Sequence, residues 1–179
     1  NYFNVINVLA CSGLILFSKP MAKILFSKNF FDAWKYVPFL LIAYLFAGLA
    51  GFLASSFRAA KYTSGLLSST AWGAVVNIVL NLLFVKLFGN LGAAFTTLLG
   101  FAITFYIRSK TVKKVVDLKT NLLKDTFIYM ILMLQACVIT FECPYKYFVG
   151  TILFVAIVCL YYKYIINIFK FFGNCSEPS

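Results

Sequence analysis

The chain has 179 residues, of which 63% are hydrophobic and only 12% charged. A water-soluble domain is about 45–50% apolar and about 25% charged, so a soluble globule is excluded and the surplus apolar surface is expected to face lipid. The net charge of +11 does not point to nucleic acid, because the basic residues stand between apolar runs, which is the pattern of membrane topology.

The apolar runs are continuous rather than alternating, which favours helices that satisfy their own backbone over a β-barrel. A spanning helix needs about 20 mostly apolar residues, and six candidates follow one another. They cover residues 2–17, 37–57, 66–85, 91–107, 127–141 and 148–168. The expected fold is all-α: a polytopic transmembrane helical bundle of about six spans, with residues 1–179 forming one bundle. The chain starts Asn1-Tyr2-Phe3 without Met and enters an apolar helix at once. With no charged leader and no small-residue cleavage site, this start reads as the interior of a longer protein rather than as a signal peptide.

The connections differ in character. Residues 19–35 read as an interfacial segment. Met21, Ile24, Leu25, Phe30, Phe31 and Trp34 are its apolar anchors, Lys23, Lys28 and Lys35 meet headgroups, and Pro20 suits a first helical turn. Phe57-Arg58-Ala59-Ala60-Lys61-Tyr62 is a short basic turn, and Phe88-Gly89-Asn90-Leu91-Gly92 a tight turn in which Gly supplies backbone freedom. Residues 108–125 form the longest polar loop, with six Lys/Arg. Cys143-Pro144-Tyr145-Lys146 is a turn in which Pro144 ends the preceding helix.

Six spans place alternate loops on one side. Ten basic residues then share a side (Arg58, Lys61, Arg108, Lys110, Lys113, Lys114, Lys119, Lys124, Lys163, Lys170), against six on the other. The positive-inside rule makes the first side cytoplasmic, together with the C-terminus. Trp34, Tyr36, Tyr106, Tyr145, Tyr147 and Tyr161 are expected in the interfacial belt.

Small residues let helices approach in lipid. Gly48, Gly51 and Ser55 share one helix face, and Gly92, Thr96 and Gly100 share another; both are expected to be packing faces. Polar side chains inside spans are costly and need a partner or a wet cavity. Asn77 and Asn81 lie one turn apart, Gly73 extends their face, and Gln135 sits near the middle of its own run. These three amides are the substrate-facing candidates, with helix-joining hydrogen bonds as the competing role.

Catalysis has little to build on. The five acids, Asp32, Asp117, Asp125, Glu142 and Glu177, lie at helix ends or in loops, and there is no His to act as a base. The five cysteines form no C-x-x-C pair, so neither a metal site nor a cofactor is expected. There is no phosphate-binding glycine loop either.

A resemblance then emerges. Residues 20–38, with Ile24-Leu25-Phe26, Phe30-Phe31-Asp32-Ala33-Trp34 and Val37-Pro38, resemble the start of the second half of polysaccharide flippases. Ala60-Lys61-Tyr62-Thr63 resembles the turn that follows. Gly73-Ala74-Val75-Val76-Asn77-Ile78-Val79-Leu80-Asn81, then Phe88-Gly89-Asn90-Leu91-Gly92-Ala93-Ala94 and Thr97, are similar to that family's signature. The likeness covers residues 15–110 and departs at Ser27, where relatives commonly carry Gly. The group is that of O-antigen and capsule repeat-unit flippases, within the multidrug/oligosaccharidyl-lipid/polysaccharide exporter superfamily.

The resemblance implies that the chain is one half of a two-bundle transporter in the bacterial cytoplasmic membrane. The implied substrate is an undecaprenyl-diphosphate-linked oligosaccharide moved by alternating access, with membrane lipid and other membrane proteins of polysaccharide assembly as neighbours. An ion-coupled multidrug exporter of the same fold and a membrane-embedded enzyme of envelope synthesis stay open beside it, as does a non-transporting scaffold.

Overall fold

The fold was analysed in a computed structural model that describes residues 2–113, 122–141 and 145–174. The described residues are helical throughout apart from short turns. Helix α1 is Tyr2–Leu16, α2 is Ser18–Leu25, a 3-10 helix covers Lys28–Lys35, α3 is Val37–Ala59, α4 is Thr63–Val112, α5 is Leu122–Thr140 and α6 is Lys146–Asn174. Each of the six apolar runs falls on a helix. Two helices, Val37–Ala59 and Thr63–Val112, are long and apolar enough to cross a membrane by length and composition. The expected turn at Cys143-Pro144, together with Glu142, Cys175 and Glu177, lies outside the described residues, as do Lys114, Asp117 and Lys119.

The third and fourth runs are merged in the 50-residue helix α4, which is broken at Gly89 with φ 56° and ψ −136°. That backbone region is essentially open to glycine alone, so the expected turn forms here and needs this glycine. The two arms, residues 63–88 and 90–112, run back along one another. Gly73 meets Gly100, Asn77 meets Thr96, and Ser69 meets Arg108. At 1.5 Å per residue each arm is roughly 35–39 Å long.

The described residues divide into two compact units, one within residues 17–121 and the other within residues 1–16 and 122–179. In the first, α3 packs along the hairpin. Leu53, Phe57 and Val112 are buried together, with Leu66 and Phe105 against them. The Phe39–Phe95 and Phe46–Phe105 ring pairs, at 6.2 and 5.8 Å, join α3 to the second arm. Helix α3 ends in a cap with Lys61 at φ 55°, where Tyr62 N–H donates to Phe57 O and Lys61 N–H to Arg58 O. This is the Schellman arrangement, with Lys where Gly is usual. In the second unit α1, α5 and α6 pack together, with Val5, Val8, Ile15, Ile128, Leu132, Ile139 and Ile157 as the core.

The residue 19–35 segment is helical as expected, and Ile24 and Leu25 are exposed. Trp34, an expected residue of the interfacial belt, is packed against protein. Only 2% of it is exposed, and Lys19 Nζ lies 4.7 Å from its ring centroid. Tyr161 is likewise buried, whereas Tyr106, Tyr145 and Tyr147 are exposed.

The first hairpin arm turns most of its apolar side chains outward. Leu67, Trp72, Ile78, Leu82, Leu87 and Phe88 are all more than half exposed. The most apolar stretch of α4 is only 6% buried, against 56% for that of α3.

Candidate functional site

The amides Asn77 and Asn81 sit on the inner face of the first arm, where the arms come closest. Asn81 Nδ2 donates to Asn77 Oδ1 at 2.7 Å, Asn77 Nδ2 to Thr96 O at 3.3 Å, and Thr96 Oγ1 to Asn81 Oδ1 at 2.8 Å. The i, i+4 spacing of the asparagines puts their side chains one above the other, and Thr96, bonded through side chain and backbone, closes the ladder. Both amides are half-buried, and Thr96 is fully buried.

Glycines allow this approach. A Cβ on Gly73 would collide with Thr104 Oγ1 and come within 2.9 Å of Gly100 O. One on Gly100 would lie 3.0 Å from Asn77 Cβ, and one on Gly92 would run into the Phe84 carbonyl with its carbon at 2.7 Å. The face of Gly92, Thr96 and Gly100 is therefore in contact along the hairpin. Gly48 and Gly51 behave differently from their expected packing role: a Cβ on either meets nothing within 4 Å. Helix α3 packs instead through Ile42, Ala43, Phe46, Ala50, Leu53 and Phe57. The regular spacing of small residues on α3 is real, but a neighbouring stripe carries the contact.

Beside the ladder, α3 and both arms border an open-sided cavity of about 380 Å³, within the lower range of small-ligand sites. Gly51 of α3 lines it, with Thr70, Asn77, Thr97, Thr104 and Arg108 as the polar wall. Asn77 thus does both things a buried amide can do: it joins the two arms and presents a polar edge to a cavity.

Arg108 is the residue that sequence reasoning missed. It was expected as a loop charge, but α4 continues to Val112 and Arg108 is only 8% exposed. Its Nε donates to Ser69 Oγ at 3.0 Å, Nη1 to Ala50 O at 2.8 Å and Nη2 to Thr70 Oγ1 at 2.8 Å. All three acceptors are neutral. Among the described residues no carboxylate pairs with this guanidinium. The one available signal was a pair of hydroxyls, Ser69-Thr70, on the opposite arm, with Thr70 as far before Gly89 as Arg108 is after it.

Gln135 is not surface-facing. It has no exposed surface, accepts from Ser12 Oγ at 2.6 Å, and directs Nε2 towards Ser12 O and Gly150 O, each at 3.3 Å. Its amide joins α1, α5 and α6, so the expected cavity role gives way to a helix-joining one. The same unit contains a second network. Asn4 Nδ2 donates to Tyr161 Oη, Tyr161 Oη to Asp125 Oδ1, and Tyr129 Oη to Asn4 Oδ1. Asp125 lies in the first turn of α5, at a helix end. Among the described residues no cluster of three or more His, Cys, Asp or Glu could hold a metal.

Comparison of the chain with protein-family models, with curated proteins and with solved structures returns no match.

Proposed function

We propose that the chain is a transmembrane helical bundle of a bacterial cytoplasmic-membrane transporter, and that it carries a lipid-diphosphate-linked oligosaccharide between leaflets. The observation that carries this is the pocket between α3 and the hairpin, in which the polar residues Thr70, Asn77, Thr97, Thr104 and Arg108 stand among apolar ones. Polar walls inside a helix bundle are expensive in lipid and mark substrate paths. Two features support the membrane setting: the long apolar helices, and the outward face of the first arm, where large apolar side chains stand exposed in a row. The signature residues Gly73, Asn77, Asn81, Gly89 and Gly92 support the flippase reading. They are the same residues that build the hairpin and the ladder.

The proposed mechanism is alternating access, with the glycan and its diphosphate in a polar space and the polyprenyl tail in lipid. The test is deletion of the gene in its own host. Lipid-linked repeat units should accumulate at the cytoplasmic leaflet and be cleared when the gene is restored. Unchanged surface glycan and no accumulation would contradict the assignment.

A second reading, ion-coupled multidrug export, is favoured by one observation: the partly buried Asp125 carboxylate beside the Tyr161 hydroxyl. Dye efflux that follows an imposed proton or sodium gradient and is lost in Asp125→Asn would support it over the first.

A further inference from the structure

We propose that Arg108 sets the register of α3 against the hairpin, and with it the shape of the open-sided cavity between them. Apolar packing alone specifies that register poorly. On the buried side of α3 alanine recurs: Ala43, Ala50 and Ala54 are at most 2% exposed, and Ala47 lines the cavity. Their spacings of four, three and four residues keep them on one helix face. A slip of one turn, about 5.4 Å, brings one alanine close to the place of the next. Phe39 and Phe46, which carry the ring pairs to the second arm, also stand two turns apart. Burial of such side chains is non-directional and follows area, so neighbouring registers bury similar surfaces.

Arg108 supplies direction. Its guanidinium is a planar fork with N–H groups at fixed angles. Nε and Nη2 hold the first arm at Ser69 Oγ and Thr70 Oγ1, at 3.0 and 2.8 Å, and Nη1 reaches across to Ala50 O of α3, at 2.8 Å. The two anchors are themselves fixed, because both hydroxyls donate to Leu66 O. With two prongs held on the hairpin, the third meets the Ala50 carbonyl in one register only.

Stability is a poor explanation for this residue. Arg108 is more than nine-tenths buried and its three acceptors are neutral. Taking a charge out of water is costly, and neutral oxygens return less than an opposite charge would. An apolar side chain would fill the space without that cost. What the guanidinium adds is selection: a displaced α3 leaves Nη1 among apolar atoms without its carbonyl, which penalises the wrong register more than the right one. Ala47, Ala50 and Gly51 form the α3 side of the cavity, so a one-turn slip would remodel it. This role holds whether or not the cavity carries a substrate.

The test is a distance measurement on the full chain in lipid nanodiscs. Nitroxide labels are placed by Tyr44→Cys in α3 and Leu87→Cys in the first arm, both positions more than half exposed, after replacement of the five native cysteines. Pulsed electron spin resonance should give one narrow distance distribution with Arg108 present. Arg108→Leu should stay folded, with a Tm no lower than that of the labelled parent, and show a second population displaced by about 5 Å, one helical turn. Ser69→Ala combined with Thr70→Val keeps the charge but removes its anchors, and should broaden the distribution as well; it carries the test if Arg108→Leu does not fold. A second population supports the proposal at any Tm. Distributions of equal width in the parent and the folded variants would overturn it, and a lower Tm with an unchanged distance would do the same by making Arg108 a stabilising contact alone.

Discussion

Replacing Gln135 with Leu separates a helix-joining amide from a substrate-facing one. The substitution conserves volume closely, so little cavity energy enters. It removes the 2.6 Å bond from the Ser12 hydroxyl and two longer contacts at 3.3 Å to backbone carbonyls of Ser12 and Gly150. Those carbonyls belong to helices and keep their own amide partners, so their loss is small. The Ser12 hydroxyl is fully buried, and an orphaned donor there would cost about 1–3 kcal/mol. It can turn back to a carbonyl of its own helix and recover part of that. Interhelical side-chain bonds in membranes average about 0.6 kcal/mol and reach about 1.7. The net expectation is a loss of about 1–2 kcal/mol, read as a shift in equilibrium unfolding in mixed micelles. A double-mutant cycle with Ser12→Ala should return a coupling of about 1 kcal/mol. Export per folded molecule should stay at the wild-type level. Unchanged stability together with lost export would refute the reasoning and return Gln135 to the substrate path.

Gly73→Ala should destabilise the hairpin by about 1–3 kcal/mol, because the new methyl meets both Thr104 and the Gly100 carbonyl; Gly48→Ala should be nearly neutral in the same thermal unfolding assay, since nothing lies within 4 Å. Gly89→Ala should cost about 1–3 kcal/mol through its backbone conformation, visible as a lower Tm without any loss of side-chain contact. Asn77→Leu should reduce stability by roughly 0.6–2 kcal/mol and lower export further than the fall in folded protein; export proportional to folded protein would leave Asn77 with the ladder alone. The end of the second arm is expected to be cytoplasmic. A lone cysteine replacing the exposed Lys110 should react with an impermeant reagent only after lysis, and labelling in intact cells would reverse the topology. Ser109 is buried and unsuited to that experiment.

The helices were legible because a spanning run needs only length and continuous apolarity, and the hairpin because Phe88-Gly89-Asn90-Leu91-Gly92 breaks such a run with two glycines. What each polar or small residue meets was not legible. Arg108 stands at the end of an apolar run next to Lys110 and Lys113, which is how a loop charge looks. Its burial depends on hydroxyls 38 and 39 positions away. The depth of Gln135 could be read from the sequence, but its partner Ser12 is 123 positions distant. Periodicity marked two small-residue faces alike, yet among the described residues Gly92 and Gly100 have a neighbour against them and Gly48 and Gly51 have none within 4 Å. Face and depth follow from local spacing, whereas the choice between a neighbouring helix and open space is a property of the packed chain.

The most direct test of transport is a leaflet assay in proteoliposomes. The purified protein is reconstituted with a polyprenyl-diphosphate-linked oligosaccharide carrying a fluorophore on its glycan, and an impermeant quencher is added outside. Transfer faster than in protein-free vesicles, and slowed at least tenfold in Arg108→Gln at equal reconstitution, is the predicted result. A quenched fraction equal to that of protein-free vesicles, with the protein shown to be folded and inserted, would contradict it.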